Sequence, residues 1–210
     1  MCGRYYLDRE ALELRDIICE AEAALARSHP NAMMKTGEIF PTDIAPILFL
    51  REHGIKAGAM QWGLPRWHAP GVVFNLGVES VMHKELFRRP MEEKRVAVPA
   101  TGFYEWKDTG GSRKQDKFMF RAENKDVLYL AGFYNSFSSG GEIPECFTIL
   151  TTDANASVAL YHNRMPVLLR PKEVEEWLTG KGFKYMERTP FEVDAKLVGN
   201  DKTNFPVDSV

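Results

Sequence analysis

Cys2 is the residue of this chain best placed to do chemistry, because the opening Met1-Cys2-Gly3-Arg4 puts a thiol next to the amino terminus. Removal of Met1, which the small side chain of Cys2 permits, would leave a free amine and a thiol on one residue. Such an amine titrates near about 7.7–8.0, so roughly a quarter of it is neutral at about pH 7.5. An ordinary thiol titrates near about 8.5. A 1,2-aminothiol of this kind condenses with an aldehyde. Position alone leaves the alternative open that Cys2 is a small strand residue with no chemistry.

Three further segments combine polar groups with aromatics and glycines: Phe74-Asn75, Gly102-Phe103-Tyr104-Glu105-Trp106 and His162-Asn163-Arg164-Met165-Pro166. Strand alternation puts Phe103, Glu105 and Lys107 on one face and Tyr104 and Trp106 on the other. Glu105 is then either solvated at a sheet edge, or desolvated beside an aromatic ring with a raised pKa suited to proton transfer. His162 stands just before a strand, where its imidazole serves either as a proton shuttle or as a structural group. The five histidines, His29, His53, His68, His83 and His162, are scattered without ligand spacing, so neither a metal nor another cofactor is expected.

The elements that must position these groups are mostly strands. Apolar residues Ala11, Leu14, Ile18, Ala21 and Leu25 recur every three or four positions, which predicts an amphipathic helix over 8–27 capped by Asp8 and lying on a sheet. Runs at 46–50 and 55–60 around His53-Gly54 predict a hairpin. A short helix is expected from Ser80 to Arg89. Strands are expected at 95–99, 102–107, 117–121, 127–134 and 145–151, with Gly-rich turns at 109–112 and 139–141. Asp153 is placed to cap a helical turn, 165–169 returns to a strand, and Pro171 opens a helix ending near Gly180. The tail, 181–210, is weakly patterned. The sum is one α+β domain over 1–210, built on a mainly antiparallel, barrel-like sheet flanked by helices.

Composition narrows the function classes. The 210 residues suffice for one full core, and a formal net charge of −2 excludes a globally basic nucleic-acid binder, leaving only a local basic groove. Cys2, Cys19 and Cys146 form neither a CxxC pair nor an even framework, as expected for free thiols in a reducing compartment. No apolar run is long enough for a bilayer and no signal peptide is evident, so a soluble cytoplasmic protein without membrane partners is expected.

Taken together, the Met-Cys-Gly-Arg start, Trp62-Gly63-Leu64-Pro65-Arg66-Trp67, the Asn75 segment, Gly-Phe-Tyr-Glu-Trp, Leu150-Thr151-Thr152 with Ala154-Asn155, and His-x-Arg-Met-Pro run in one order along the chain. This set resembles the SRAP family, the SOS response associated peptidase domain, and Val198-Gly199-Asn200 resembles its C-terminal end. The resemblance implies a sensor of abasic sites in single-stranded DNA that crosslinks to them through a processed Cys2. The Cys2 amine would form a Schiff base with the opened sugar, and the thiol would close a thiazolidine. By the same resemblance Glu105 would handle protons at the amine and the sugar ring oxygen. His162 would assist imine formation and reversal, and Asn75 would position Cys2 or the sugar. Arg4 would contact phosphate, and Trp67, flanked by Arg66 and His68, would stack on or wedge a base. Arg164 would face phosphate or support the site. Core packing of Trp67 is the alternative, and Lys84, Arg88 and Arg89 are expected to be a solvated basic group.

Two positions depart from the family pattern. Gly77 stands where the Asn-Ala-Arg-x-Glu-like segment carries arginine, and a glycine replaces no guanidinium. The loop at 36–46 lacks the usual Asn-x-Ala-Pro, and its Glu38 brings a negative charge toward the expected DNA groove. Two other functions compete with crosslinking. One is a cysteine peptidase in which the Cys2 thiolate attacks an amide, removal of Met1 being its mildest form. The other is a non-catalytic single-strand binding module. Nothing in the sequence identifies protein partners.

Overall fold

The computed structural model describes residues 2–66, 69–107, 115–123, 127–137 and 145–201. β1 (Arg4–Leu7) leads through a 3-10 turn at Leu12–Leu14 into α1 (Arg15–Ser28). β2 (Gly37–Ile39), β3 (Ile44–Arg51) and β4 (Gly54–Trp62) follow, then a small hairpin of β5 (Leu64–Pro65) and β6 (Val72–Val73). β7 (Asn75–Gly77) feeds α2 (Val78–His83) and α3 (Glu85–Glu93). The long strands β8 (Arg95–Ala100), β9 (Gly102–Lys107), β10 (Gln115–Ala122), β11 (Leu128–Ser136) and β12 (Glu145–Asp153) make up the middle of the chain. It closes with α4 (Ala156–Ala159), β13 (Arg164–Pro166), β14 (Leu168–Leu169), α5 (Val174–Leu178), α6 (Lys184–Glu187) and β15 (Val193–Asp201).

Among the described residues two sheets carry the architecture. One is antiparallel in the order β15-β10-β9-β1-β2. In the other, β12, β4, β3, β8 and β11 pair in sequence and β11 returns to β12, so the sheet closes into a ring with β7, β13 and β14 attached. Among the strand pairings of the described residues, only β12 against β4 and β7 is parallel. The α+β class and the barrel-like, mainly antiparallel sheet are therefore as expected. Tyr5, Phe103 and Phe120 from the first sheet and Ile47, Phe133, Phe147 and Ile149 from the second share one buried core.

Several local expectations need correction. Asp8 accepts a bond from the Glu10 N–H instead of capping α1, because the chain first makes the 3-10 turn, and the α-helix begins only at Arg15. Its Ile18, Ala21 and Leu25 are buried as expected, and it lies on β3 and β4. The helix expected at 80–89 is two helices, broken at Lys84 where the backbone is extended. Asn155, not Asp153, caps α4, accepting from Val158 N–H at 3.0 Å. The expected strand at 165–169 is two short strands, β13 and β14, which pair with different partners, β12 and β11. In the tail, β15 pairs along the length of β10. Its propensity is low and, past the buried Val193, Leu197 and Val198 are exposed, so backbone pairing defines it and side-chain patterning does not. The turns at 109–112 and 139–141 lie outside the described residues.

Candidate active site

Asn75 opens the site because β7 is pinned in register. It runs parallel to β12, with Asn75 beside Ile149 and Gly77 beside Thr151. The residue before it, Phe74, gives its carbonyl to Trp62 Nε1–H at 2.9 Å, and the fully buried Trp62 ring packs on Tyr5, Phe74 and Phe147. Gly63 follows at φ +119°, where an added Cβ would lie 2.5 Å from Val72, so only glycine fits between this tryptophan and the β5–β6 hairpin. From that anchored position Asn75 Nδ2 donates to the Cys2 carbonyl at 2.7 Å. Its Oδ1 is buried and has no hydrogen-bond partner among the described residues.

Cys2 itself is fully buried two residues before β1, its Sγ 3.3 Å from the Arg4 carbonyl. Burial pushes its thiol far above the ordinary thiol range, and the Glu105 carboxylate pushes it further. The register of β1 on β9 sets Arg4 opposite Tyr104, which carries Glu105 toward the start of β1. Glu105 is 1% exposed, which decides between its two sequence readings in favour of the desolvated one. Burial raises its carboxyl to about 8 against the pull of the positive amino terminus. His162 Nδ1 stands 4.0 Å from Glu105 Oε2, too far for a hydrogen bond. That nitrogen lies 3.0 Å from both the backbone N–H and the carbonyl of Arg164. Burial lowers the imidazole, and the amino-terminal charge adds to this. The site thus joins a buried thiol, a carboxyl held neutral near physiological pH and an imidazole held neutral. This combination suits proton transfer to and from a small electrophile.

Comparison with known proteins gives the same order of segments a family. The SOS response associated peptidase (SRAP) family matches residues 1–197. The chain belongs to the SRAP family. It is 30% identical to the abasic site processing protein YoaM of Bacillus subtilis, covering 97% of this chain and 95% of that one. It is 28% identical to the abasic site processing protein YoqW of the same organism, covering 98% and 97%. Against the abasic site processing protein HMCES of Gallus gallus it is 28% identical, covering 85% of this chain and 65% of that one. Among solved structures, a protein from Bacteroides thetaiotaomicron superposes with a TM-score of 0.73 at 22% identity, covering 94% and 92%. That likeness concerns the fold.

The SRAP residues expected to hold DNA fall in several places. Arg4 leaves the outer face of β1, its guanidinium over Phe40 and Trp106 and paired to Glu38 at 3.1 Å. Arg66 stands at the end of β5, bonded through its N–H to the Gly71 carbonyl, and Trp67 and His68 lie outside the described residues. Arg164 donates to Asp153 at 2.8 Å, to Glu79 at 3.0 Å and to the Thr151 carbonyl at 2.9 Å, clamping β13 to the end of β12. Arg88 and Arg89 pair with Glu92 and Glu93 one turn on along exposed α3. Sequence reasoning passed over two contributors: Glu79, which ties α2 to Arg164, and Lys117, which reaches Glu38. The only advance signal for Lys117 was its place on a strand facing the aromatic side of β9.

Proposed function

We propose that this SRAP protein senses abasic sites in single-stranded DNA and captures them covalently through Cys2 once Met1 is removed. The reading rests on one observation above all. Cys2 sits between Asn75, which holds its carbonyl, and Glu105, a buried carboxyl near pKa 8. The abasic site processing names of its relatives point to the same substrate class.

The neutral Cys2 amine adds to C1′ of the open-chain sugar, and the protonated Glu105 supplies the proton on which water leaves, giving the iminium. The Cys2 sulfur then adds to the iminium carbon, its proton passing to the Glu105 carboxylate. The products are a thiazolidine bearing N–H, one water and a regenerated acid. His162, kept neutral, assists imine formation and its reversal. The buried Oδ1 of Asn75 accepts from the amine or a sugar hydroxyl, satisfying an atom that has no partner among the described residues.

The competing hydrolase chemistry requires a thiolate. Burial and the neighbouring Glu105 both hold Cys2 as the thiol, which favours the aldehyde trap. The test is a denaturing gel of protein with a single strand carrying one abasic site. Met1-free protein forms a band that survives heating, and protein retaining Met1 forms none. Equal adduct with Met1 in place would overturn the reading, and peptide turnover without adduct would favour the hydrolase.

Gly77 yields a second prediction. Its backbone angles, φ −66° and ψ 139°, suit any residue, and the atoms nearest an added Cβ belong to the exposed Glu79 carboxylate, a side-chain end that can turn aside from its pair with Arg164. Gly77→Arg will therefore fold normally and tighten single-strand binding, steepening the salt dependence by about 0.7 in log–log slope. Fluorescence anisotropy across a salt series checks this. A slope unchanged from wild type would place residue 77 away from the strand.

A further inference from the structure

The outer face of the antiparallel sheet carries cations laid on aromatic rings. Strand parity brings Tyr6, Tyr104, Trp106 and Met119 together there, and Tyr104, Trp106 and Met119 form a small buried cluster of their own. Lys117 Nζ lies 4.4 Å from the Tyr104 ring centre and 5.8 Å from Trp106, and Arg4 lies 5.0 Å from Trp106. Both cations donate to one oxygen: Glu38 Oε1 is 3.1 Å from Arg4 Nη1 and 2.7 Å from Lys117 Nζ. The Arg4 and Lys117 side chains are 11% and 8% exposed, and Glu38 is 29% exposed. The carboxylate therefore forms the outer lid over two inner cations. By register, Arg121 and Lys196 share this face with Asp194 as the second acid, and Arg121 makes no ion pair among the described residues.

A carboxylate clamped by an arginine and a lysine is the geometry in which a phosphate diester would be held, since its oxygens accept the same charge-assisted bonds. Arg4 is two residues from Cys2, so a strand whose sugar reaches Cys2 carries a phosphate past this point. We infer that Arg4 and Lys117 form a phosphate site and that Glu38 occupies it in the free protein, so that strand binding exchanges the carboxylate for a backbone phosphate. The inference rests on the single-strand reading above. Glu38 then acts as an internal competitor: it lowers affinity for ordinary single strands, and the covalent step retains the abasic ones.

The test measures affinity of the full chain for a short oligothymidylate without abasic sites, across a salt series, with inorganic phosphate as a second probe. Glutamine removes the one negative charge that Arg4 and Lys117 share at Glu38 and leaves both cations in place. Glu38→Gln will bind the oligonucleotide about tenfold more tightly at low salt, with a slope steeper by about 0.7. It will also broaden the phosphorus resonance of inorganic phosphate more than wild type does. Lys117→Met will weaken binding and flatten the slope, and the exposed Glu175→Gln, which changes total charge equally, will change neither. Wild-type affinity in Glu38→Gln, or an unchanged slope in Lys117→Met, would overturn the inference. Melting curves separate either result from misfolding, and the two variants perturb opposite charges. If Glu38→Gln gains phosphate but no form holds the oligonucleotide, the phosphate site stands and the single-strand reading falls.

Discussion

Met1-free Cys2→Ser protein will form no heat-stable adduct with an abasic strand, yet borohydride will trap it nearly as well as wild type. The serine keeps the amine, so the imine still forms and reduction fixes it. What is lost is the sulfur that closes the ring, and an alkoxy ring from serine reopens readily. The substitution is mild for the fold, because the hydroxyl occupies the fully buried position of the thiol and can still donate to the Arg4 carbonyl, now 3.3 Å from sulfur. A gel with and without borohydride reads both steps. A heat-stable serine adduct in the absence of reductant would show that the amine alone suffices and that the thiol has another purpose.

Glu105→Gln will slow adduct formation by about 10²–10⁴-fold, the usual contribution of a positioned acid–base group, and will make the fold more stable. The sign of the second effect follows from the carboxyl's raised value, about 8 in the fold against an ordinary 4.5. The unfolded chain ionises it at lower pH, so its contribution to stability is complete below about 4.5, declines as pH rises and is lost above about 8. At pH 7 the cost is roughly 3 kcal/mol. Glutamine cannot ionise, so the variant's urea midpoint will stay level from about pH 4.5 to 8 while that of wild type falls. A variant that is less stable at every pH would mean that Glu105 is structural and not a poised acid.

Much of the site was legible because its segments are local. Alternation in Gly102-Phe103-Tyr104-Glu105-Trp106 puts Glu105 on one face with Phe103, although it leaves open whether that face is solvated, and the β3–β4 hairpin follows from His53-Gly54 and its flanks. What could not be read is set by distant partners. Nothing in the vicinity of Asn155 or Asp153 says that Asp153 is drawn to Arg164, leaving Asn155 to cap α4. β15 is a strand because β10 offers it an edge. Lys117 and Glu38 are 79 positions apart, and each alone looks like a surface charge. Glu38 first registers as an unwelcome acid near a groove, and only the ion pair gives it a place.

β12 pairs with β7 at Ile149–Thr151 and with β13 at Thr151–Asp153, so the strand carrying Asn75 and the turn carrying His162 are measured from one continuous five-residue stretch of backbone that they share at Thr151. β12 is also a member of the closed ring. One wall of the site therefore cannot drift while the other stays, because both share a single ruler that has no free edge to slide along. In hydrogen-exchange terms, the amides of this stretch should open only with the whole barrel. The geometry around Cys2 is then as durable as the fold, which is what the proposed covalent capture would require of its trap.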